Sequence, residues 1–224
     1  MQIKGLSMKE WLCFPKSFFI NWKLFGIKEA LVCPILFLGS VKCHGIHKGK
    51  IIINSNSKYR AMIHFGFGGS FGICANRQEY LNIGKQGKIV FNGPAAFAPG
   101  FSIRVDEGVL VFGAYFSCNK NCFFSCTSGM SFGNEVLVGW NSNFRDSDGH
   151  IMTHNSIEKP FLKPVRIGNH VWIASEVDIL KGVEIPDECV VGYRSCVTKK
   201  FDEPNCLIGG YPAGVIQKGI TWKS

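Results

Sequence analysis

The sequence lacks a hydrophobic run long enough to cross a bilayer. Its most apolar stretch, Ala30 to Val41, is short and is broken by Pro34, whereas a spanning helix needs roughly 20 apolar residues. We therefore predict no transmembrane helix. The first residues, MQIKGLSMKEWLCFPKSFF, also lack a clean apolar core followed by a small-residue cleavage site, so we expect no secretory signal and a cytoplasmic location.

Charged side chains are also scarce, at 18% of the sequence, while 46% of the residues are hydrophobic and 13% are aromatic. This composition excludes a solvated, intrinsically disordered chain. A length of 224 residues fits one domain or a domain with a cap. We expect one continuous core.

The net charge of +9 is concentrated near the N-terminus, because Met1 to Arg60 contains ten basic and two acidic residues, interleaved with aromatic ones. No recognisable nucleic-acid-binding motif accompanies this basic region, so we predict no nucleic acid partner. Two interpretations stay open. The segment is an amphipathic cap with solvated lysines, or it contacts a lipid-linked substrate or an anionic membrane as a peripheral protein at its inner face.

Ten cysteines are scattered without paired spacing, which favours reduced, buried thiols over a disulfide scaffold. Cys118, Cys122 and Cys126 recur at four-residue spacing, as zinc ligands sometimes do. No CxxC pair or nearby histidine completes a set of four ligands. We therefore favour ordinary packing and expect no metal requirement.

A six-residue repeat is the strongest signal in the sequence. A branched aliphatic residue returns at every sixth position: Ile167, Ile173, Ile179, Ile185, Val191 and Val197. Four residues after each stands a second, smaller set: Val171, Val177, Val183, Cys189 and Ser195. This spacing predicts short strands that form the sides of a triangular prism, with three units per coil and successive coils stacked through parallel backbone hydrogen bonds.

The same register appears upstream in two fragments: Phe97, Ile103 and Val109, then Phe132, Val138 and Phe144. We expect regular coils from near Leu81, after an irregular glycine-rich coil that lacks the strand-then-helix context of a nucleotide loop. The predicted organisation is an irregular or helical cap over residues 1–60, a hexapeptide β-helix over 61–208 and a short C-terminal extension over 209–224. A polar insert at about 145–166 interrupts the ladder, and such interruptions often carry function.

Four blocks resemble the hexapeptide-repeat acyltransferases, which include maltose, galactoside and bacterial surface-polysaccharide O-acetyltransferases. They are DSDGHI (146–151), IGNHVWIAS (167–175), ILKGVEIPDECVVGYRSCVTKK (179–200) and GGYPAGVI (209–216). The resemblance implies an all-β, left-handed parallel β-helix, a homotrimer with active sites between adjacent chains, and acetyl-CoA as co-substrate. The DSDGH form most resembles enzymes that acetylate capsular, lipopolysaccharide or exopolysaccharide sugars, so we expect a carbohydrate acceptor in polysaccharide biosynthesis.

His150 is the predicted catalytic base. A sugar hydroxyl is a poor nucleophile until its proton is removed, and an imidazole can accept that proton and pass it to the departing thiolate. Asp148 or Asp146 would orient the ring through its other nitrogen. We interpret His154 and His170 as structural.

The resemblance also implies the coenzyme A contacts. Trp172 would border the catalytic histidine and the thioester, and the backbone N–H of Ala174 would stabilise the oxyanion. The other implied contacts are Ser175, Tyr193, Thr198 and Lys199. Many relatives have glycine at the position of Ala174 and a basic residue at that of Gly214, for which Lys218 would compensate. Tyr193 replaces a small residue.

Two alternatives stay open. A zinc enzyme resembling γ-class carbonic anhydrase would need His150, His154 and His170 to converge between subunits, and stoichiometric zinc would favour it. A non-catalytic β-helix serving as a scaffold or sugar-binding module is the second, since fold does not fix activity. Failure to bind acetyl-CoA would favour that interpretation.

Overall fold

The computed structural model describes residues 8–70 and 72–223, so residues 1–7 of the expected cap lie outside the described part. Three parallel sheets, here called walls A, B and C, form a triangular prism. The chain passes repeatedly from wall A to wall B to wall C. The corners between them are called AB, BC and CA.

Each wall is a ladder of short strands. Wall A contains β1 (Ile35–Phe37), β4 (Ile63–Phe65), β7 (Ala95–Phe97), β10 (Phe116–Cys118), β13 (Leu137–Val138), β18 (Trp172–Ile173), β21 (Val190–Val191), β23 (Cys206–Gly210) and the antiparallel β24 (Ala213–Lys218). Wall B contains β2 (Lys42–His44), β5 (Tyr80–Ile83), β8 (Ser102–Val105), β11 (Phe123–Cys126), β14 (Asn143–Arg145), β19 (Asp178–Ile179) and β22 (Cys196–Val197). Wall C contains β3 (Ile51–Ile53), β6 (Lys88–Phe91), β9 (Val109–Phe112), β12 (Met130–Phe132), β17 (Val165–Ile167) and β20 (Glu184–Ile185).

The hexapeptide register is confirmed in the later coils. Arg166 in β17 pairs with Glu184 in β20, 18 positions along the chain, so three six-residue units complete one coil. Both predicted ladders from Ile167 to Val197 are buried. The fold is therefore the expected parallel β-helix, in which no coil can cover its core without the next.

Phenylalanines share the interior of the earlier coils with aliphatic side chains. The ring of Phe65 stacks on Phe37 and Phe97 with centroids 5.1 and 4.7 Å apart, and Phe124 stacks on Phe144 at 4.9 Å. Such offset ring pairs add to the stabilisation from burial.

The upstream register is wrong at one predicted position. Val109 is 41% exposed, whereas Leu110 and Phe112 point into the prism. Side chains alternate along a strand, so a shift of one residue moves the whole apolar set to the opposite face.

The β-helix begins earlier in the chain than the expected boundary at residue 61. Strands β1, β2 and β3 pair in parallel with β4, β5 and β6, which places residues 35–53 in the first coil. Long turns separate these strands, so no six-residue spacing marks them in the sequence.

In the part of the chain that the structure describes, three helices precede the first coil: α1 (Met8–Leu12), α2 (Phe14–Phe25) and α3 (Ile27–Val32). Helix α2 covers the free edge of β1, where Ser17 Oγ accepts from the Phe37 N–H and the Asn21 amide exchanges two hydrogen bonds with Ile35. These bonds satisfy an edge that would otherwise pair with another chain.

At the other end, the β23–β24 hairpin closes wall A. All ten cysteines are free, and Cys118, Cys122, Cys126, Cys189 and Cys196 are buried in the prism. Within the described residues, no helix is long and apolar enough to span a membrane.

Candidate active site

The polar insert is an arm that projects from the BC corner. Strand β14 ends at Arg145, an isolated bridge joins Ser147 to Leu162, and an antiparallel hairpin follows, made of β15 (Met152–His154) and β16 (Ile157–Lys159). Asn155 and Ser156 at its tip both have positive φ, as a type I′ turn requires. Every residue of the hairpin is exposed.

Asp146 anchors this arm to the prism. Its carboxylate is fully buried and accepts hydrogen bonds from the backbone N–H groups of Thr127, Ser128 and Gly129 at 2.7 to 3.0 Å. Burial raises the pKa of the Cys126 thiol well above its ordinary value, and the nearby Asp146 carboxylate raises it further. Asp146 thus fixes where the arm leaves the prism, and its oxygens do not orient His150.

His150 is exposed at the base of the arm, after Gly149 with its φ of +79°. Within the described residues its imidazole makes no hydrogen bond or ion pair. Asp148, the other predicted orienting residue, instead accepts a hydrogen bond from Lys181 Nζ at 2.5 Å. The expected contact between Asp148 and His150 is therefore not formed in the single chain, because a cation one coil further along holds the carboxylate.

A column of lysines runs beside the base of the arm. Lys163, Lys181 and Lys199 occupy the same corner position in successive coils, and with Thr198 they line a cleft of about 450 Å³. Stacked strands bring such equivalent positions within about 5 Å of one another along the prism.

Sequence reasoning identified only Lys199 and Thr198 in this cleft. Lys163 and Lys181 are separated from each other, and Lys181 from Lys199, by one full coil, and this spacing could have identified them. The six-residue repeat of aliphatic residues does not include them. Arg166 and Lys200 also line the cleft and both pair with Glu184. The hydrogen bond from Lys200 lowers the pKa of that carboxyl.

Trp172 lies on the outer face of wall A, where its side chain is 39% exposed. Trp222, which the sequence did not single out, lies 6.1 Å from it between ring centroids. The Trp222 ring stacks on His170 at 4.2 Å and its Nε1–H donates to the His170 carbonyl. The His170 Nδ1 contacts Glu188 at 2.6 Å.

His170 at the CA corner is therefore part of a cluster with Trp222 and Glu188 and is not an isolated histidine in a turn. His170 and Trp222 line a cavity of about 370 Å³ together with Tyr115, Ser117 and Glu135. The cavity is also lined by Leu137, which pairs with Trp172 in wall A.

The remaining predicted cofactor residues lie at the AB corner or on the last hairpin. The N–H of Ala174 donates to the Val191 carbonyl at 2.9 Å, so the expected oxyanion donor is already used by the sheet ladder. Ser175 Oγ accepts a hydrogen bond from the backbone N–H of Trp140. The side chain of Tyr193 is exposed. Lys218 pairs with Glu203, whose hydrogen bond raises the lysine pKa.

The predicted site is therefore divided into two halves on opposite sides of the prism. His150, Asp148, Thr198 and Lys199 belong to the BC corner, whereas Trp172, Ala174, Ser175 and Tyr193 belong to wall A and its AB corner. In a triangular prism the BC corner is opposite wall A. For the same reason the histidine pair of the arm and His170 at the CA corner do not converge within one chain. The described residues contain no group of three or more metal-ligating side chains.

Comparison with known proteins finds acetyltransferases among the relatives, although no family model matches. The chain is 33% identical over 128 residues to the galactoside O-acetyltransferase of Escherichia coli (strain K12), covering 56% of this chain and 58% of that enzyme. It is 52% identical over 55 residues to the chloramphenicol acetyltransferase of Morganella morganii, covering 25% of this chain and 26% of the relative. The chain thus spans well under two thirds of either relative.

Among solved structures, a polySia-specific acetyltransferase superimposes with a TM-score of 0.52 at 19% identity, covering 84% of this chain and 89% of the other. That likeness establishes the β-helix fold. In sequence, the chain resembles the hexapeptide-repeat acyltransferases, as the four blocks predict.

Proposed function

We propose that this protein is an acetyl-CoA-dependent O-acetyltransferase whose acceptor is a sugar hydroxyl. The observation that carries the proposal is His150, which is exposed on an anchored arm two residues after Asp148, whose carboxylate is ion-paired to Lys181 of the lysine column. A base and an anion-binding cleft are thereby adjacent, as transfer from a phosphorylated thioester carrier requires. The sequence similarity to galactoside O-acetyltransferase supports the same reaction.

In this mechanism His150 removes the hydroxyl proton while the acceptor oxygen attacks the thioester carbonyl. The tetrahedral intermediate collapses with cleavage of the carbon–sulfur bond. His150 returns its proton to the departing thiolate, which leaves as free coenzyme A, and the ester stays on the sugar. No residue of the protein is acetylated.

Asp148 acts in this scheme as a positioning residue. Its ion pair with Lys181 ties the arm to the next coil two residues before His150. Breaking this ion pair would allow the imidazole to move out of alignment with the reacting atoms, and such misalignment lowers the reaction rate.

The lysine column would bind the phosphates of coenzyme A. Lys199 and Lys163 form no ion pair within the described residues, so their charge is available to an anion, and Lys199 Nζ lies over the Phe201 ring at 5.6 Å. Thr198 offers a hydroxyl at the same cleft. Trp172, Ser175, Tyr193 and Lys218 would hold the pantetheine and adenosine portions from the other side.

This arrangement closes only between chains. We therefore propose a homotrimer in which the BC corner of one chain faces wall A of the next, so that His150 meets the neighbour's copy of Trp172. Cyclic assemblies repeat one such heterologous contact at each interface. The acceptor would be a unit of a capsular, lipopolysaccharide or exopolysaccharide chain, acetylated in the cytoplasm.

Thiol release from acetyl-CoA tests the activity. Purified protein is incubated with acetyl-CoA and a panel of bacterial oligosaccharides, and free thiol is followed with and without each acceptor. Acceptor-dependent release with a matching acetyl ester on the sugar is expected. Release that instead depends on added zinc, or no binding of acetyl-CoA by calorimetry, would contradict the proposal.

Mixing two inactive variants tests the division of the site between chains. His150→Ala and Trp172→Ala are each expected to be nearly inactive. In randomly mixed trimers, about a quarter of the interfaces combine an intact histidine with an intact tryptophan, so co-expression restores about that fraction of activity. Mixtures that stay as inactive as their components would place both residues in one chain's site and overturn the trimer model.

A further inference from the structure

The N-terminal helices expose an apolar face that the proposed reaction does not use. Helix α2 turns Ser17, Ile20, Asn21 and Leu24 toward the first coil. The opposite face presents Phe19 and Trp22, both about half exposed. The two sets follow helical spacing, so α2 buries one face against the prism and exposes aromatic side chains on the other.

The neighbouring helices extend the same exposed surface. Helix α1 contributes Trp11 and Leu12, the latter 79% exposed, and α3 contributes Ile27, Leu31 and Val32. In α3 Ile27 and Leu31 are four residues apart, which puts them on one side of the helix. We call this surface the cap face. Large exposed apolar patches of this kind mark interaction sites.

Cations surround the aromatic side chains of the cap. Lys23 Nζ lies 4.5 Å from the Phe19 ring centroid, Lys58 Nζ 5.7 Å from Phe25, and the Arg60 guanidinium 5.8 Å from Phe14. Lys28 is exposed on α3. No salt bridge involves any of these four cations within the described residues.

The charge of this surface decides its occupant. A second copy of the same face would bring like charges together, which is costly in an interface. An anionic lipid bilayer instead complements the cations, while tryptophan and phenylalanine suit the boundary between headgroups and acyl chains.

The position of the cap favours the same occupant. It lies at the end of the prism, beyond the first strand of wall A, so side-to-side packing of neighbouring prisms leaves it uncovered. We infer that the cap face binds the surface of an anionic phospholipid membrane, with Phe19 and Trp22 entering the interface and Lys23, Lys28, Lys58 and Arg60 contacting headgroups. This inference is independent of the reaction proposed above.

Vesicle cosedimentation of the full chain tests it. Vesicles of phosphatidylglycerol and phosphatidylcholine in roughly equal parts are expected to bind the protein. Pure phosphatidylcholine vesicles should bind it at least about tenfold more weakly, because they lack the negative charge that attracts the cations of the cap. Added salt should weaken the binding, since it screens exposed charges. Equal binding to both vesicle types would overturn the inference.

Paired variants separate a membrane from other anionic partners. The double change Phe19→Ser with Trp22→Ser keeps every charge and is expected to weaken vesicle binding at least about tenfold through lost apolar burial. Ile216→Ser, an exposed apolar change on β24 at the other end of the prism, is the control and should bind as the parent protein does. Unchanged binding of the double variant would indicate simple electrostatic adsorption and contradict the inference.

Oligomer size and fold are measured on the same variants without lipid. Circular dichroism should be unchanged, since both replaced side chains face away from the core. If the double variant forms a smaller assembly than the parent, the cap face is a contact between copies and the membrane assignment is wrong. With the assembly intact, acetyl transfer to a free oligosaccharide should be unaltered, because the cap lies outside the proposed active site.

Discussion

The arm and the prism that carries it follow opposite rules. From Gly149 to Pro160 every residue of the arm is exposed, and its strands pair only with each other. In the prism around it, each strand pairs with the coils before and after and turns one side chain in two to the core. Stability therefore resides in the walls, whereas the arm is free to present chemistry.

Asp146 is the point at which these two regimes meet. It is the first residue after β14, and its buried carboxylate joins the base of the arm to the previous coil. A buried charge is tolerated only when it is fully hydrogen-bonded. The comparison thus predicts three kinds of substitution: those that affect catalysis alone, those that affect both catalysis and stability, and those that affect stability alone.

The largest effect is expected from His150→Ala. Loss of the general base should lower kcat about a thousandfold, which corresponds to roughly 4 kcal/mol of barrier. Unfolding free energy should change by less than about 0.5 kcal/mol because the side chain is exposed. His154→Ala is the matched control in the same arm and should keep kcat within about twofold. Equal loss in both variants would mean that the arm as a whole, not His150, is needed.

Asp146→Asn should affect both properties. An amide can accept fewer of the backbone N–H groups of 127–129, and leaving buried donors unsatisfied costs about 2 to 3 kcal/mol of unfolding free energy. Urea denaturation measures this loss, and kcat should fall as the arm loosens. Asp148→Asn removes a partly exposed ion pair and should cost less than about 1 kcal/mol. If the two variants are equally stable, Asp146 is not the anchor.

Lys181→Ala should affect the reaction more than the fold. It removes the middle charge of the lysine column, so KM for acetyl-CoA should rise about tenfold, or roughly 1.4 kcal/mol. It also releases Asp148, so kcat should fall because His150 loses its alignment. Steady-state kinetics with varied acetyl-CoA measure the change. Lys88→Ala on β6, an exposed lysine on wall C, should leave KM unchanged, and a similar rise there would indicate a general charge effect.

How far the sequence predicted this molecule depended on the regularity of each coil. From Ile167 to Val197 the strands are two or three residues long and the turns are short, so inward positions recur at six and the prism is predictable. The first coil, with β1 to β3, has the same topology but long turns. Its residues lack any fixed period, and the structure assigns them to the β-helix through backbone pairing alone.

The sequence predicts which residues form the candidate site but not how they are arranged. The DSDGH block predicts His150 as the base. Nothing in the sequence indicates that Asp148 pairs with Lys181, or that the N–H of Ala174 donates to the Val191 carbonyl. Trp222 was missed because it follows the last repeat, and its stacking on His170 is a long-range contact. The spacing of residues in the sequence specifies each strand. The side-chain contacts between coils depend on how the coils are aligned with one another, which the spacing does not give.

The smallest effect is expected from Ile179→Val in the regular part of the prism. Ile179 is fully buried between the strands of wall B, so removing one methylene should cost about 1 kcal/mol of unfolding free energy. Because the wall only supports the arm, kcat and KM should stay within about twofold of the parent values. Thermal and urea unfolding, measured beside the kinetics, check both halves of this expectation. A change in kcat or KM of much more than twofold would mean that packing inside the prism sets the position of the arm. The separation between wall and arm would then not hold.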